Sequence, residues 1–427
     1  MVSLDLRLDD AELSSCVACG LCLPHCPTFR VTGEEALSPR GRIDAMRAVQ
    51  WRGADADADF VRFMDTCVQC RGCEPACPSG VPFGHLMEGT RNVLAAERAT
   101  APRWLRAGLG VLPRHRLLLA GSTALAVAQR LRLVPRRAGL ARLPLRRPPP
   151  IRATARDVAL TAGGPLGRRR SPVDHRSTSG RQGAEAAAGP IVWLFTGCVM
   201  DAWLRPTHHA TAELIAMAGA TFAVPDRDGA CCGALHAHAG LHTDAVRLAE
   251  RVMRSMPGDS PILVNSAGCG AAMKDYGHLA GTAEAKAFSA RVLDVHEWLA
   301  ERLKELTPAP TTRPVVIVQD PCHLRHVQRS HLPVRAVLGH VADVVELDDD
   351  GLCCGAGGAY SAVQPELAAK IRERKVAVIR TAAQRSGATI VASANPGCAM
   401  HLAAQLGGLG LTVRHPVDIV ADALRGS

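Results

Sequence analysis

Two closely spaced groups of four cysteines restrict the fold of this chain more than any other feature. The groups are Cys16-x2-Cys19-x2-Cys22-x3-Cys26-Pro27 and Cys67-x2-Cys70-x2-Cys73-x3-Cys77-Pro78. Three cysteines at intervals of three can wrap one [4Fe–4S] cubane, and the fourth, before a proline, can reach a neighbouring cubane. The spacing therefore predicts two [4Fe–4S] clusters. One would be ligated by Cys16, Cys19, Cys22 and Cys77, and the other by Cys67, Cys70, Cys73 and Cys26.

Zinc and disulfides are the alternative uses of clustered cysteines. Structural zinc needs four thiolates and can take them from Cys-x-x-Cys pairs, but two complete groups that each end in Cys-Pro favour clusters. The acidic start, MVSLDLRLDDAELSSC, lacks the features of a secretory leader, which favours a reducing compartment and metal binding over disulfides. The closest approach to a membrane span, Leu117 to Ala128, is shorter than the roughly 18 apolar residues required. We expect a cytoplasmic protein, either soluble or peripheral on the inner face of the cell membrane.

Positive charge is concentrated in one part of the chain. The net charge is +10, yet Arg98 to Arg170 holds seventeen arginines and one acid, Asp157. The remainder is net negative, so the charge gives no protein-wide indication of nucleic-acid binding. Three interpretations of this proline-rich stretch stay open. It could bind peripherally to an anionic membrane surface, form helices that pack back on the N-terminal domain, or dock on an acidic partner.

The C-terminal half is an internal duplication. IVWLFTGC, DGACCG and NSAGCG recur as VVIVQDPC, GLCCGAGG and SANPGCAM. In each copy a strand-like run precedes the first cysteine, a glycine-rich loop carries a cysteine pair, and another strand-like run leads to the last cysteine. Loops at strand ends are where α/β folds place chemistry, so these eight cysteines are expected to converge between two similar lobes. They are Cys198, Cys231, Cys232, Cys269, Cys322, Cys353, Cys354 and Cys398.

These patterns predict an α+β multidomain chain. An α-helical dicluster ferredoxin-type domain over residues 1–97 would precede an arginine- and proline-rich connector over 98–188. Two α/β cysteine-rich repeats would follow, over 189–306 and 307–427. Within the first domain, apolar residues on one face predict a helix from Pro39 to Trp51.

The combination resembles a known family. A dicluster segment followed by two copies of Cys…Cys-Cys-Gly…Cys is similar to the iron–sulfur subunit of bacterial glycolate oxidase, within the wider cysteine-rich-domain (CCG) group. NSAGCGAAMKDYGH, QDPCHLRHVQ and GLCCGAGGAYSAVQPELA carry the likeness. The resemblance implies that FAD-containing partner subunits oxidise a 2-hydroxy acid, glycolate first among them, and that this chain passes the electrons to a quinone or another acceptor. The chain shows no dinucleotide-binding glycine motif and no catalytic residue of its own.

The same resemblance keeps other functions open. Iron–sulfur subunits of lactate and glycerol-3-phosphate dehydrogenases share this architecture. Heterodisulfide reductase shares it too, which keeps thiol–disulfide chemistry open as a function. In that reductase each repeat ends in Cys-x-x-Cys, whereas Ala272 and His401 stand at the last position here, which disfavours its five-thiolate cluster. The four remaining thiolates per repeat could hold a further iron–sulfur cluster, a redox thiol pair or a vestigial site.

Several polar residues flank the cysteine loops of the repeats. Imidazole replaces thiolate in some iron–sulfur sites, and His401 is the strongest such candidate because it takes a cysteine's place. Asp320 and Asn395 are expected to order the loops rather than to bind metal. The histidines considered are His236, His238, His323, His326 and His401.

Overall fold

The N-terminal region folds into short helices around the two cysteine loops. The computed structural model describes residues 4–97, 99–133, 191–225, 229–306 and 312–426. The first helices are α1 (Asp10–Ser14), α2 (Pro27–Thr32), α3 (Pro39–Arg52), α4 (Ala58–Asp65) and α5 (Phe83–Ala96). Prolines occupy the first turn of α2 and of α3, where a backbone N–H has no intrahelical partner.

Helix α3 is the helix predicted over Pro39 to Trp51, and it ends one residue later at Arg52. The Ser38 hydroxyl caps it by accepting from the Gly41 N–H at 3.0 Å. Its buried Ile43, Met46 and Val49 form the apolar face, which packs on α4, α5 and the cysteine loops.

The described part of the connector continues as α6 (Arg103–Val111) and α7 (His115–Arg130). Helix α7 packs on the first repeat, where the Trp203 Nε1–H donates to Ser122 Oγ at 2.8 Å and His115 Nε2 lies 3.0 Å from Asp201 Oδ2. The expectation that such helices pack on the N-terminal domain is therefore wrong for α7. Most of the arginine-rich stretch, from residue 134 onward, and the predicted boundary at residue 188 lie outside the described residues.

Each repeat is built on a four-stranded parallel sheet. The first has the order β2-β1-β3-β4 and the second the order β6-β5-β7-β8, so the duplication seen in the sequence is confirmed. Helices separate the strands, as parallel connections require. The strands are β1 (Ile191–Phe195), β2 (Thr221–Ala223), β3 (Ile262–Val264), β4 (Val292–Asp294), β5 (Val315–Val318), β6 (Asp343–Val345), β7 (Ile390–Ala392) and β8 (Thr412–Arg414).

The helices of the repeats follow the same plan. Those of the first are α8 (Val199–Trp203), α9 (Arg205–Met217), α10 (Ala234–His238), α11 (His242–Ser255), α12 (Ala267–Lys274), α13 (Tyr276–Ala280), α14 (Ala283–Ala290) and α15 (Val295–Ala300). Those of the second are α16 (His331–Gly339), α17 (Tyr360–Val363), α18 (Pro365–Ser386), α19 (Pro396–Leu406) and α20 (Pro416–Arg425). The predicted fold class, a helical domain followed by duplicated α/β units, is confirmed.

The two repeats share one apolar core by exchanging helices. Helix α20, from the end of the second repeat, packs on α9 of the first, and α15, from the end of the first repeat, packs on α16 of the second. Residues from both central strands, including Leu194 and Val318, belong to a single buried cluster. The Ala267 N–H donates to the Ala394 carbonyl at 3.0 Å, which joins the loops that lead to the last cysteine of each repeat.

Within the described ranges, the structure contains no helix that is both long enough and apolar enough to cross a membrane.

Candidate redox centres

The first ferredoxin-type loop lies at the surface. Cys19 is exposed, and three further cysteines, Cys16, Cys22 and Cys77, are half-buried. We call these four the outer site. Within the loop from Cys16 to Cys22, Val17 and Leu21 are 70% and 57% exposed. The loop therefore presents apolar side chains to solvent beside its most accessible thiol.

Two arginines of α3 hold this loop in shape. Arg47 Nη2 donates to the Cys16 carbonyl at 2.7 Å, and Arg40 Nη1 donates to the Ala18 carbonyl at 3.0 Å. Gly20 has φ +85°, and a Cβ there would lie 2.6 Å from Arg40 Nη1. Glycine at this turn lets the Arg40 guanidinium close over the loop.

The remaining four N-terminal cysteines form a buried group. Cys26, Cys67, Cys70 and Cys73 are all buried and line one cavity; we call them the inner site. Burial raises the pKa of the Cys26 and Cys73 thiols, and each is raised further by the neighbouring Cys67 and Cys70. The structure thus places Cys26 with three cysteines of the other group, as crossed ligation requires. The ligand assignment itself stays a prediction.

The donor set of the inner site suits an iron–sulfur cluster. All sixteen cysteines are free thiols, and the four of this site surround a cavity. The Gln69 N–H donates to Cys67 Sγ at 3.4 Å, and Arg42 Nη1 lies 4.0 Å from Cys26 Sγ. Hydrogen bonds and charge at sulfur tune a cluster's potential. The inner site thus offers both the thiolates that a cubane needs and polar groups that would adjust its potential.

The second repeat gathers its four cysteines at the carboxyl ends of its strands. Cys322 precedes a π-helical turn, His323–Val327, and Cys398 lies in the first turn of α19. Cys322 and Cys353 pack in one buried cluster, and the adjacent Cys354 packs with Cys398 in another. We call these four the second quartet.

The first repeat gathers a matching first quartet of Cys198, Cys231, Cys232 and Cys269. Cys198 and Cys231 pack in one buried cluster, and the adjacent Cys232 packs with Cys269 in another. Each repeat therefore gathers four of the eight C-terminal cysteines.

The glycine after each cysteine pair has a steric reason. Gly233 and Gly355 have φ +80° and +86°, and a Cβ at these positions would lie 3.1 Å from the Ala245 carbonyl oxygen and 2.7 Å from that of Ala368. Any side chain would collide with the helix behind the loop. The Gly355 N–H also donates to Cys353 Sγ at 3.3 Å.

Comparisons with known proteins agree with this architecture. The family model for a 4Fe-4S dicluster domain matches residues 12–81, and the model for a cysteine-rich domain matches residues 192–274 and 316–403. The probable glycolate oxidase iron-sulfur subunit of Bacillus subtilis is 32% identical, with 98% of this chain and 95% of the relative aligned. The chain belongs to the glycolate oxidase iron–sulfur subunit family. As a member of this family it is an iron–sulfur component of an oxidoreductase, and its N-terminal domain is a dicluster [4Fe–4S] domain.

Other relatives define the breadth of the glycolate oxidase iron–sulfur subunit family and its neighbours. The glycolate oxidase iron-sulfur subunit of Escherichia coli is 30% identical over 97% of this chain and 95% of its own length. The dihydromethanophenazine:CoB–CoM heterodisulfide reductase of Methanosarcina mazei has a component that is 26% identical over 97% of this chain and 94% of its own length. The resemblance inferred from the cysteine motifs is thus confirmed.

The histidines that flank the cysteine loops differ in what their ring nitrogens contact. His323 Nδ1 lies 3.5 Å from Cys322 Sγ, whereas His326 Nε2 lies 3.2 Å from the Gly351 carbonyl oxygen and His401 Nε2 lies 3.4 Å from that of Ala368. His238 contacts Gln69 of the inner-site loop, and His236 is buried. His323 therefore presents a ring nitrogen to a thiol, while Nε2 of His401, the stronger candidate from the sequence, faces a backbone carbonyl.

Asp320 and Asn395 order the second quartet, as expected. The Asp320 carboxylate accepts from Arg325 Nη1 and from Arg335 Nη1 and Nη2, each at 2.9 Å. Asn395 Nδ2 lies 3.5 Å from Cys398 Sγ, and its Oδ1 accepts from the Gly268 N–H at 3.1 Å. One side chain thus connects the last-cysteine loops of both repeats.

Two buried arginines of the dicluster domain were missed from the sequence. Arg42 Nε donates to the Phe63 carbonyl at 2.6 Å, and Arg91 Nη2 donates to that of Cys67 at 2.7 Å. Arg91 Nη1 also reaches the His238 carbonyl of the first repeat at 2.8 Å. Both arginines occupy otherwise apolar helix faces. A charged residue at such a position in the sequence could have indicated a buried arginine with a specific role.

Proposed function

We propose that this chain is the electron-transfer subunit of a flavin-dependent 2-hydroxy-acid dehydrogenase complex with glycolate as its substrate. Electrons would come from FAD-containing partner subunits and pass through the clusters ligated by the outer and inner sites to a quinone or another acceptor. Family membership supports this role. We further propose that the complex is cytoplasmic and works at the inner face of the cell membrane, where quinone is available.

The observation that carries the proposal is the contrast between the outer and inner sites. A reduced flavin holds two electrons that one-electron carriers must accept one at a time, so a carrier needs an accessible entry point and a protected interior. Cys19 is exposed between Val17 and Leu21, whereas all four inner-site cysteines are buried. We propose that the flavoprotein docks over the Val17–Leu21 loop.

The test uses the chain coexpressed with its FAD-containing subunits and purified anaerobically. Glycolate, lactate and glycerol 3-phosphate are added separately, and flavin absorbance and cluster EPR signals are followed. Glycolate should reduce flavin and then both clusters. Clusters that stay oxidised while the flavin is reduced would refute the electron-transfer role, and reduction by lactate alone would reassign the substrate.

A pair of surface variants tests the docking loop. Val17→Asp places a charge beside Cys19 and should slow cluster reduction by the flavoprotein, because the apolar contact is lost. Leu332→Asp is the matched control, since Leu332 is 64% exposed on α16, a helix of the second repeat. Dithionite should reduce the clusters of both variants equally, and equal slowing with glycolate would argue against this interface.

A second candidate function, thiol–disulfide exchange, is favoured by the close packing of free cysteines within each quartet. Iron and acid-labile sulfide per chain distinguish the two. About eight of each corresponds to the two cubanes alone, and about twelve adds one cluster in a quartet. Disulfide reduction by the isolated chain with dithionite as the electron donor, lost on Cys354→Ala, would support the second candidate.

A further inference from the structure

The second quartet is in direct contact with the inner site. Cys353 of the second quartet and Cys70 of the inner site are both buried and belong to one cluster of packed side chains. Cys70 and Val68 share a buried apolar cluster with Cys322, Cys353 and Ile371. The two groups of cysteines therefore pack against each other at this point.

The surrounding contacts fix this junction tightly. The Tyr360 hydroxyl donates to the Thr66 carbonyl at 3.2 Å in a buried position, which joins the loop after Cys354 to the residue before Cys67. A Cβ on Gly357 would lie 3.0 Å from Val68 Cγ1. The backbone of the second repeat therefore packs flush against the inner-site loop.

The first quartet has a different neighbour. Cys198 and Cys231, which match Cys322 and Cys353, pack against Leu118 and Leu119 of α7. A helix of the connector thus covers the first repeat at the place where a cysteine of the dicluster domain covers the second. Leucine side chains carry no redox group, so this cover offers the first quartet no redox partner.

We propose that the second repeat alone lies on the electron path, and that Cys70 and Cys353 are the two residues across which electrons leave the dicluster domain. The second quartet would hold the receiving iron–sulfur centre, and the first quartet would have a structural role. The proposal deepens the function proposed above, which supplies the source of electrons but not their route.

The step balances as a simple transfer. One electron leaves the cluster at the inner site, which is oxidised by one unit, and the centre at the second quartet is reduced by one unit. No bond forms or breaks and no proton moves. Because the two sites meet through neighbouring thiol ligands, the two centres would also interact magnetically when both are paramagnetic.

A cavity of about 210 Å³ adjoins the receiving end of this path. It is lined by Cys353 and Leu352, by Val31 of α2, and by Ile371 and Arg374 of α18. Electrons that reach the second quartet would therefore arrive next to an opening in the protein surface.

The experiment compares Cys353→Ser with Cys231→Ser, the same substitution at matched positions of the two repeats, in the full chain with its clusters. Dithionite replaces the flavoprotein as donor, so that failure of the glycolate reaction does not obscure the result. Iron content and the EPR spectrum of the reduced inner-site cluster are measured. The neighbouring outer-site cluster, which dithionite also reduces, splits that spectrum in both variants. We therefore expect Cys353→Ser to lose only the additional splitting that the second quartet contributes, and Cys231→Ser to retain it.

The iron content of each variant shows whether a loss of splitting is caused by misfolding of the inner site. About eight irons per chain in Cys353→Ser and about twelve in Cys231→Ser would show that both cubanes remain. Tyr360→Phe, which removes one hydrogen bond at the junction, serves as a milder second variant that should weaken the splitting. A wild-type chain with about eight irons, or splitting that disappears with Cys231→Ser and not with Cys353→Ser, would overturn the proposal.

Discussion

At the scale of single residues, the electrostatics of the inner site depend on a buried arginine of α3. Arg42 is 1% exposed, and it is held by the Phe63 carbonyl and by the Thr66 hydroxyl, to which Nη2 donates at 3.3 Å. Its guanidinium faces Cys26, whose thiol pKa it lowers against the larger effect of burial. A fixed cation at this place favours the more negative, reduced state of a cluster.

Replacing Arg42 should therefore change a reduction potential. Arg42→Met should lower the potential of the inner-site cluster by roughly 60 mV, which corresponds to about a tenfold change in a one-electron equilibrium. Arg42→Lys keeps the charge and should stay near the wild type. EPR-monitored redox titration measures the shift. Arg52→Met, on the same helix but in an exposed pair with Asp44, is the control, and an equal shift there would contradict the assignment.

At the scale of elements, α7 acts as the cover of the first quartet. Leu118 and Leu119 are 6% and 4% exposed against the repeat, whereas the adjacent Leu117 is 53% exposed. His115 Nε2 lies 3.0 Å from Asp201 Oδ2 at the start of the helix. Burial raises the pKa of the Asp201 carboxyl, but His115 and Arg205 outweigh it and the pKa is lowered. The helix is thus bound by its apolar face and at one end.

This arrangement predicts unequal effects of neighbouring leucine substitutions. Leu119→Ala should destabilise the docked helix by about 2–5 kcal/mol, the usual cost of a buried leucine, and should make Cys231 more reactive toward iodoacetamide. Leu117→Ala should do neither. Alkylation followed by peptide mass spectrometry measures the difference, and equal labelling of Cys231 in both variants would show that α7 does not cover it.

The elements also show what the sequence could and could not predict. Spacing predicted α3 and the two repeated sheets, since periodicity and cysteine order are local properties of the chain. It also predicted that Cys26 would join Cys67. The contact of Cys70 with Cys353 depends on how separately folded surfaces fit together, and no spacing encodes that fit. Likewise, the sequence left three interpretations of the connector open, and none of them placed α7 on the first repeat.

At the scale of the whole molecule, the exchange of helices places ionisable groups between the repeats. Asp418 of α20 accepts from the Thr207 hydroxyl of α9 at 3.1 Å. Burial raises the pKa of Asp418 to about 6, against the lowering effect of Thr207 and Arg414. An acid whose pKa is raised by folding binds its proton more tightly in the native state, so its ionisation above that pKa costs stability.

The sign can be tested with Asp418→Asn. The variant should be more stable than the wild type above pH 6, by up to about 3 kcal/mol, and this advantage should shrink as the pH falls from 6 and vanish below about pH 4. His208 has a pKa lowered to about 4 by burial and destabilises both proteins alike in acid, so it cancels from the difference. Denaturation midpoints across this range provide the measurement. An advantage that grows toward low pH would contradict the placement of Asp418.

The reciprocal packing of α20 on α9 and of α15 on α16 has an evolutionary consequence. Each half completes its partner's hydrophobic interior, so neither would be stable as a fragment. A single ancestral copy could have met the same demand only by pairing with a second copy about a two-fold axis. After fusion of the two genes, the sequences of the two halves could diverge. One half could then specialise, while the other was retained because it completes the shared core.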